Sequence, residues 1–168
     1  LNWFQIIDID LDNDLEFITQ EFNSSNQIQV YEINDSELIF AGTITQSNGS
    51  YVLSDSVMVP TFADIDLDGD YDFFTGNIVG TVTMYENIGF SDLGLPIFNL
   101  ISFEWQDIWI VGPSMNARHG ASAIQFVDID LDGDLDLCWG DYFQASLYII
   151  FNIGSAYSPI MDINNIVT

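Results

Sequence analysis

Three short segments of the chain alternate carboxylates with apolar residues in one pattern. They are Asp8-Ile-Asp10-Leu-Asp12-Asn13-Asp14-Leu-Glu16, Asp64-Ile-Asp66-Leu-Asp68-Gly69-Asp70-Tyr-Asp72 and Asp128-Ile-Asp130-Leu-Asp132-Gly133-Asp134-Leu-Asp136. Carboxylates packed this densely repel one another unless a positive charge sits among them. A hard divalent cation removes that penalty, and Ca²⁺ takes about 6–8 oxygens at about 2.3–2.6 Å. In such a loop the side chains at positions one, three and five wrap inward. Position seven offers its backbone carbonyl, and position nine closes the shell. Position six must turn sharply, which suits glycine at positive φ. Gly69 and Gly133 stand there, and Asn13 takes the place in the first copy; asparagine is one of the few other residues tolerated in that region. The expected ligand sets are Asp8, Asp10, Asp12, Asp14 and Glu16; Asp64, Asp66, Asp68, Asp70 and Asp72; and Asp128, Asp130, Asp132, Asp134 and Asp136. Together they imply up to three structural Ca²⁺ ions, with the first site, which carries Asn13 and Glu16, departing most from the pattern. The Ile and Leu residues between the acids are expected to point away from the ion and pin each loop to the core.

Other metals fit less well. Mg²⁺ demands tight octahedral geometry and keeps several waters. Zn²⁺ and Cu²⁺ favour His or Cys ligands, and the loops hold neither. An EF-hand needs a bidentate Glu at position twelve between two helices. Position twelve here is Thr19, Thr75 and Trp139, and the flanks read as strands. Simple acidic surface turns would not repeat so regularly.

The loops account for 15 of the 26 acids. Against these stands a single cation, Arg118, for a net charge of −25. That balance disfavours nucleic acid and anionic membranes, both of which require Lys or Arg to meet phosphate. The chain is not a disordered acidic tail, because such segments are poor in aromatics and this one has 13 Phe, 7 Tyr and 4 Trp. It has no apolar run long enough to span a membrane as a helix. Its one cysteine, Cys138, permits no internal disulfide and reads as a small buried hydrophobe.

The segments that must position the loops repeat with them. Before each loop runs Trp3–Ile7, Thr61–Ala63 or Ile124–Val127; after it comes Phe17–Thr19, Phe73–Gly76 or Leu137–Gly140. A further run follows a polar turn: Ile28–Tyr31, Thr81–Tyr85 or Leu147–Phe151. The later two copies close with Asn87-Ile-Gly89 and Asn152-Ile-Gly154. Short β-branched and aromatic runs bounded by Gly, Asn, Asp and Ser read as strands, and no stretch keeps a helical period. The chain is therefore expected to be all-β. Loop starts 56 and 64 residues apart suit one four-stranded propeller blade each. The repeats are placed at about residues 1–55, 56–119 and 120–168 of a single domain. Phe90–Ala123 carries no acidic cluster; strands are expected there at Ile97–Phe103 and Trp105–Val111, followed by a turn at Gly112–Asn116.

The second and third loops, Asp64–Asp72 and Asp128–Asp136, each followed by Gly and later by Asn-x-Gly, closely resemble FG-GAP/VCBS-type repeats, the blades of integrin-α-like β-propellers. The resemblance covers nearly the whole chain and is loosest over Phe90–Ala123. It implies a partial β-propeller of about three four-stranded blades, with Ca²⁺ held in a loop of each. Three repeats fall short of the four to eight that close a ring, and the chain begins at Leu1, so it reads as part of a longer propeller. The resemblance also implies a secreted or cell-surface protein of bacterial or archaeal type, a calcium-stabilised binding or adhesion module. Its partners would be other blades, neighbouring subunits, or extracellular protein or polysaccharide. The motif is specific for fold and metal rather than for task. An accessory or catalytic propeller of a polysaccharide-active enzyme, or a structural repeat of a surface assembly, would use the same loops.

Little else announces chemistry. His119, the only His, lacks a placed nucleophile and reads as structural; Arg118 is expected to pair with a carboxylate. Phe103, Trp105 and Trp109 would share one face of an extended strand and fill space between blades rather than stack on a sugar. The acids outside the loops, such as Glu86, Glu104, Asp107 and Asp141, form no evident catalytic pair, so no enzymatic activity is expected.

Overall fold

The computed structural model describes residues 3–21, 25–109, 123–140 and 147–167. They form three sheets. Sheet I runs β1 (Phe4–Ile7), β2 (Glu16–Gln20), β3 (Ile28–Asn34) and β4 (Glu37–Thr43) in that order, all antiparallel. Sheet II holds β5 (Thr45–Gln46), β9 (Pro96–Ser102), β8 (Val82–Phe90), β7 (Asp72–Gly76) and β6 (Thr61–Ala63), with β5 parallel to β9 and the rest antiparallel. Sheet III contains β10 (Ala123–Val127), β11 (Asp136–Gly140) and β12 (Leu147–Ile150), again antiparallel. The fold is all-β and none of the three sheets closes on itself. No helix among the described residues is long and apolar enough to cross a membrane.

Each Asp-rich segment joins the first two strands of its repeat, as the flanking apolar runs require. In sheet I the next hairpin is tight: Asn34 pairs with Glu37, and Asp35 takes φ 52° between them, a conformation that Asp tolerates better than most residues.

Register shows how the sheets stack. Each presents a front row across its strands: Ile6, Phe17, Tyr31 and Phe40 in sheet I; Phe62, Phe73, Tyr85 and Leu100 in sheet II; Phe126, Leu137 and Ile150 in sheet III. The back rows are Gln5, Ile18, Val30 and Gly42; Thr61, Phe74, Met84 and Ser102; and Gln125, Cys138 and Ile149. Neighbouring residues of a strand point to opposite faces, so each row lies on one side. The back of sheet I packs on the front of sheet II, where Ile18, Ile28 and Val30 meet Phe62, Phe73, Tyr85 and Phe98. The back of sheet II packs on the front of sheet III, where Phe74 and Val82 meet Ile124, Leu137, Trp139 and Ile150.

Three expectations change. Among the described residues the sheets hold four, five and three strands instead of four each; the fifth strand of sheet II is β5, which comes from the first repeat's range and pairs with β9. The Asn87-Ile88-Gly89 motif lies inside β8 at a register shift and does not end the strand. Trp105–Asp107 is a 3₁₀ turn and not a strand. Gln106 and Asp107 have φ of 53° and 56°, and two successive left-handed residues break an extended run. The turn sends Trp105 into the core against Phe74 and Phe126, at ring separations of 5.1 and 5.8 Å. Phe103 and Trp109 remain exposed, so the three rings share no face. Gly112–Asn116, Arg118, His119 and Asp141 lie outside the described residues. Cys138 is half-buried on the back of sheet III, and burial raises its thiol pKa.

Phe73 is fully buried and touches the rings of Phe62, Tyr85 and Phe98. Phe73→Ala is expected to cost about 3–5 kcal/mol, read as a lower midpoint in urea with an unchanged slope.

Candidate metal centre

Each loop organises itself through its own carboxylates. In the first, the Asp12 and Asn13 N–H groups donate to Asp8 at 3.0 Å each, and the Asp14 N–H donates to Asp12 at 2.8 Å. The third repeats this: Asp132 and Gly133 donate to Asp128, and Asp134 to Asp132, all at 3.1 Å. In the second, Asp68 donates to Asp64 and Asp70 to Asp68, both at 3.1 Å. Position six turns through positive φ as expected, at Asn13 (77°), Gly69 (100°) and Gly133 (98°).

Position four was not foreseen. Leu11, Leu67 and Leu131 also stand at positive φ, 52–65°, and are exposed. They do not pin the loop to the core. That role falls to position two, where Ile9 and Ile65 are buried in the two seams between sheets.

Three oxygen clusters result: Asp8, Asp10 and Glu16; Asp64, Asp66 and Asp68; Asp128, Asp130 and Asp136, each with one oxygen per residue and all within 4.8 Å of one another. An ion with bonds of about 2.3–2.6 Å spans about 5 Å between opposite ligands, so the spacing admits a divalent cation. The remaining expected ligands (Asp12, Asp14, Asp70, Asp72, Asp132 and Asp134) are not drawn into these clusters. Each loop nevertheless has one buried carboxylate oxygen without a hydrogen-bond partner: Glu16 Oε1, Asp70 Oδ1 and Asp134 Oδ1. Buried carboxylates without a donor are costly, and a cation would satisfy them.

Position nine has a second task that spacing alone did not reveal. Asp136 accepts from Ile129 N–H and from Asn152 N–H, both at 2.9 Å, one on each oxygen. It thereby ties the loop to the chain after β12. Asp72 likewise accepts from Asn87 N–H at 2.9 Å. The two Asn side chains then accept from Gly89 and Gly154 N–H at 3.0 and 2.9 Å. The Asn-x-Gly motif is thus the far half of a latch. In the first copy Glu16 accepts from Ile9 N–H at 2.9 Å, but its other oxygen has no partner, consistent with the missing Asn. Carboxylate oxygens carry further lone pairs, so latching does not prevent Asp136 from binding an ion.

Electrostatics mark the same positions. Burial raises the pKa of Asp72 to about 8, with added repulsion from Asp66, Asp70 and Asp68. Burial also raises Glu16 to about 7 and Asp70 to about 6, each with neighbouring acids adding to the shift. Asp10, Asp64 and Asp134 move the same way, burial again leading.

Among the crevices that the described residues form, two lie against the sheets. One, of about 450 Å³, separates the second and third loops and is lined by Phe62, Tyr71, Phe126, Asp64, Asp128 and Asp134, among others. The other, of about 620 Å³, lies at the opposite strand ends and is lined by Asn26, Gln46, Ser50, Thr83, Asn77 and the rings of Tyr51, Tyr85 and Phe103, with Asp55 its one acid.

Comparison with protein-family models, curated proteins and solved structures finds no match for the chain. The functional reading therefore stands on the loops themselves.

Asp136→Ala in metal-free buffer is expected to cost about 2–4 kcal/mol, since it strands two backbone donors. Asp12→Ala, on an exposed loop, should cost less than about 1 kcal/mol. Equal losses in urea titrations would refute the latch. The raised carboxylates keep protons in the folded state that the unfolded chain, with pKa values of about 4, has released. Stability of the chelated protein should therefore fall as pH rises from about 4 to about 8. Saturating Ca²⁺, which favours the ionised form, should flatten that slope in a melting series.

Proposed function

We propose that the chain is a calcium-stabilised segment of a β-propeller of FG-GAP/VCBS type, serving as a binding or adhesion module outside the cell or on its surface. The observation that carries this reading is the threefold recurrence of one arrangement. Each loop gathers carboxylate oxygens within 4.8 Å and adds a buried oxygen with no protein partner.

The ion would be structural. In the second and third repeats position nine holds neighbouring strands together, and at Glu16 and Asp72 the carboxylate is ionised at neutral pH only against the cost of burial. A divalent ion at the loop offsets that cost and neutralises the acids around it, so its binding energy becomes folding energy. The loops offer no other chemistry. The crevice at the opposite strand ends has neutral amides, hydroxyls and aromatic rings with a single carboxylate. Such a lining suits recognition of a neutral, hydroxyl-bearing surface better than acid–base catalysis, which needs paired titratable groups. This favours a binding module over a polysaccharide-cleaving enzyme.

Chelation by EDTA should lower the melting temperature sharply, and millimolar Ca²⁺ should restore it, while Mg²⁺ at the same concentration restores little. An unchanged melting temperature after complete chelation would overturn the proposal. Calorimetric titration of the chelated protein should show up to three sites, with the first loop weakest, as Glu16→Gln should confirm by removing only the weakest phase.

A further inference from the structure

Two of the described asparagines stand apart in both sequence and setting. Asn34-Asp35-Ser36 and Asn48-Gly49-Ser50 each place a hydroxyl residue two positions after an asparagine, with no proline between. That triplet is the acceptor pattern for N-linked glycan, and it requires a surface turn, because the added group is bulky and polar. Both triplets meet the requirement. Asp35 and Ser36 form the turn of the β3–β4 hairpin, where Asn34 pairs with Glu37. Asn48 and Gly49 sit in the turn after β5, closed by a bond from Gly49 N–H to the Gln46 carbonyl at 2.9 Å and by the bridge from Thr45 to Tyr51. All six residues are exposed. Gly49 stands at φ 81°, and a Cβ placed on it would meet nothing within 4 Å. A third triplet, Asn23-Ser24-Ser25, begins outside the described residues.

The amide nitrogen separates these two residues from other asparagines of the chain. Asn77 Nδ2 donates to the Thr81 and Thr83 hydroxyls at 2.8 Å each, and Asn164 Nδ2 to Asp162 at 2.7 Å. The nitrogens of Asn87 and Asn152 are buried. Among the described residues, the nitrogens of Asn34 and Asn48 donate to no group, and both side chains stand in solvent. At Asn48 the amide oxygen is the engaged atom: it accepts from Ser50 N–H at 2.8 Å. Such an Asx turn holds the side chain by its oxygen and leaves the nitrogen uncommitted. Neither turn takes part in a seam. The two cores between the sheets include none of residues 33–37 and none of 47–51, so a group carried at either tip displaces no packed side chain.

We propose that Asn34 and Asn48 are acceptors for N-linked glycan. The donor class is an oligosaccharide carried on a lipid diphosphate, and the catalyst is a membrane-bound oligosaccharyl transferase. The asparagine Nδ2 attacks the anomeric carbon of the first sugar. A C–N bond forms and the C–O bond to phosphate breaks. The lipid diphosphate leaves with the electron pair of that bond, and the nitrogen gives up one proton to a base of the transferase. No oxidant or reductant takes part. The hydroxyl residue two positions on is what the transferase reads, so Ser36 and Ser50 are recognition residues. The proposal rests on the reading of the chain as an exported module, since such transferases act on the non-cytoplasmic side of a membrane. It does not rest on calcium, because both sites lie outside the carboxylate clusters.

The test is passage of the full chain, behind a supplied export leader, through a secretory host that carries such a transferase. Intact mass and peptide mapping are read on the secreted protein. The mass should exceed 18.9 kDa. A peptide N-glycosidase, which releases the glycan and converts the asparagine to aspartate, should remove the excess and leave aspartate at positions 34 and 48. Asn34→Gln and Asn48→Gln should each delete one glycan. Ser50→Ala should delete the glycan on Asn48, and Ser50→Thr should keep it. These sites are exposed, so the variants should fold, as melting would verify. A secreted chain of 18.9 kDa overturns the proposal. So does glycan confined to Asn23, and so does glycan that survives on Asn48 in Ser50→Ala. Ca²⁺-dependent melting of the same samples judges the calcium-module reading separately, since a chain without glycan can still answer to the ion and a glycosylated one can fail to.

Discussion

The structure depends on sheets that are apolar on both faces. An antiparallel sheet commonly buries one face and shows the other to water, which gives strict alternation of apolar and polar residues. Here Phe73 and Phe74 are adjacent on β7 and both fully buried, one in each seam. Such a sheet cannot stand alone. It has to be covered on both sides, and the second sheet is covered by the first and the third. The same requirement explains why the chain carries so many aromatic residues for its length. Rings from successive strands line up across each sheet, and these rows fill the space between layers at separations typical of favourable ring pairs.

Stacking sheets in one direction also brings equivalent turns to one rim, and this is where the acids collect. The position-nine carboxylates are buried because they reach back into the strands and accept backbone N–H groups. Their burial is therefore a consequence of latching and not of metal binding alone. Once buried beside other acids, Glu16 and Asp72 cannot ionise freely, and Asp72 shows the effect most. The alternatives at neutral pH are a retained proton or a bound cation. Five carboxylates in each loop make the cation the better solution, since protonating one acid leaves the others to repel.

Much of this was legible in the sequence. The threefold loop, its flanking strands and its turn residue at position six follow from residue types whose physical requirements are narrow: alternate acids, Gly or Asn at positive φ, β-branched and aromatic runs. The missed features have different causes. Leu at positive φ in position four is intrinsically disfavoured, so no propensity argument would place it there; hydrogen bonds from Asp12, Asp68 and Asp132 back to the first acid hold it. The Trp105 turn lies in a stretch whose apolar residues alternate like a strand's, and tertiary contacts with Phe74 and Phe126 override that pattern. The pairing of β5 with β9 is parallel and two residues long, too short to leave a period. The latch joined two motifs that were both visible, the position-nine acid and Asn-x-Gly, but only three-dimensional register connects them.

Loop and seam are coupled through position two. Ile9 leaves its loop to enter the core between sheets I and II, and Ile65 enters the core between sheets II and III. Each isoleucine is flanked in sequence by two carboxylates of its cluster, Asp8 and Asp10 or Asp64 and Asp66. An ion that fixes those carboxylates fixes the backbone that presents the isoleucine. Conversely, a sheet packed over the isoleucine holds the carboxylates in place before the ion arrives, which lowers the ordering cost of binding. The ion and the next sheet therefore each stabilise the state that the other requires, and linkage makes that effect reciprocal. In the third loop Ile129 is 37% exposed, so among the described residues this coupling is weakest there.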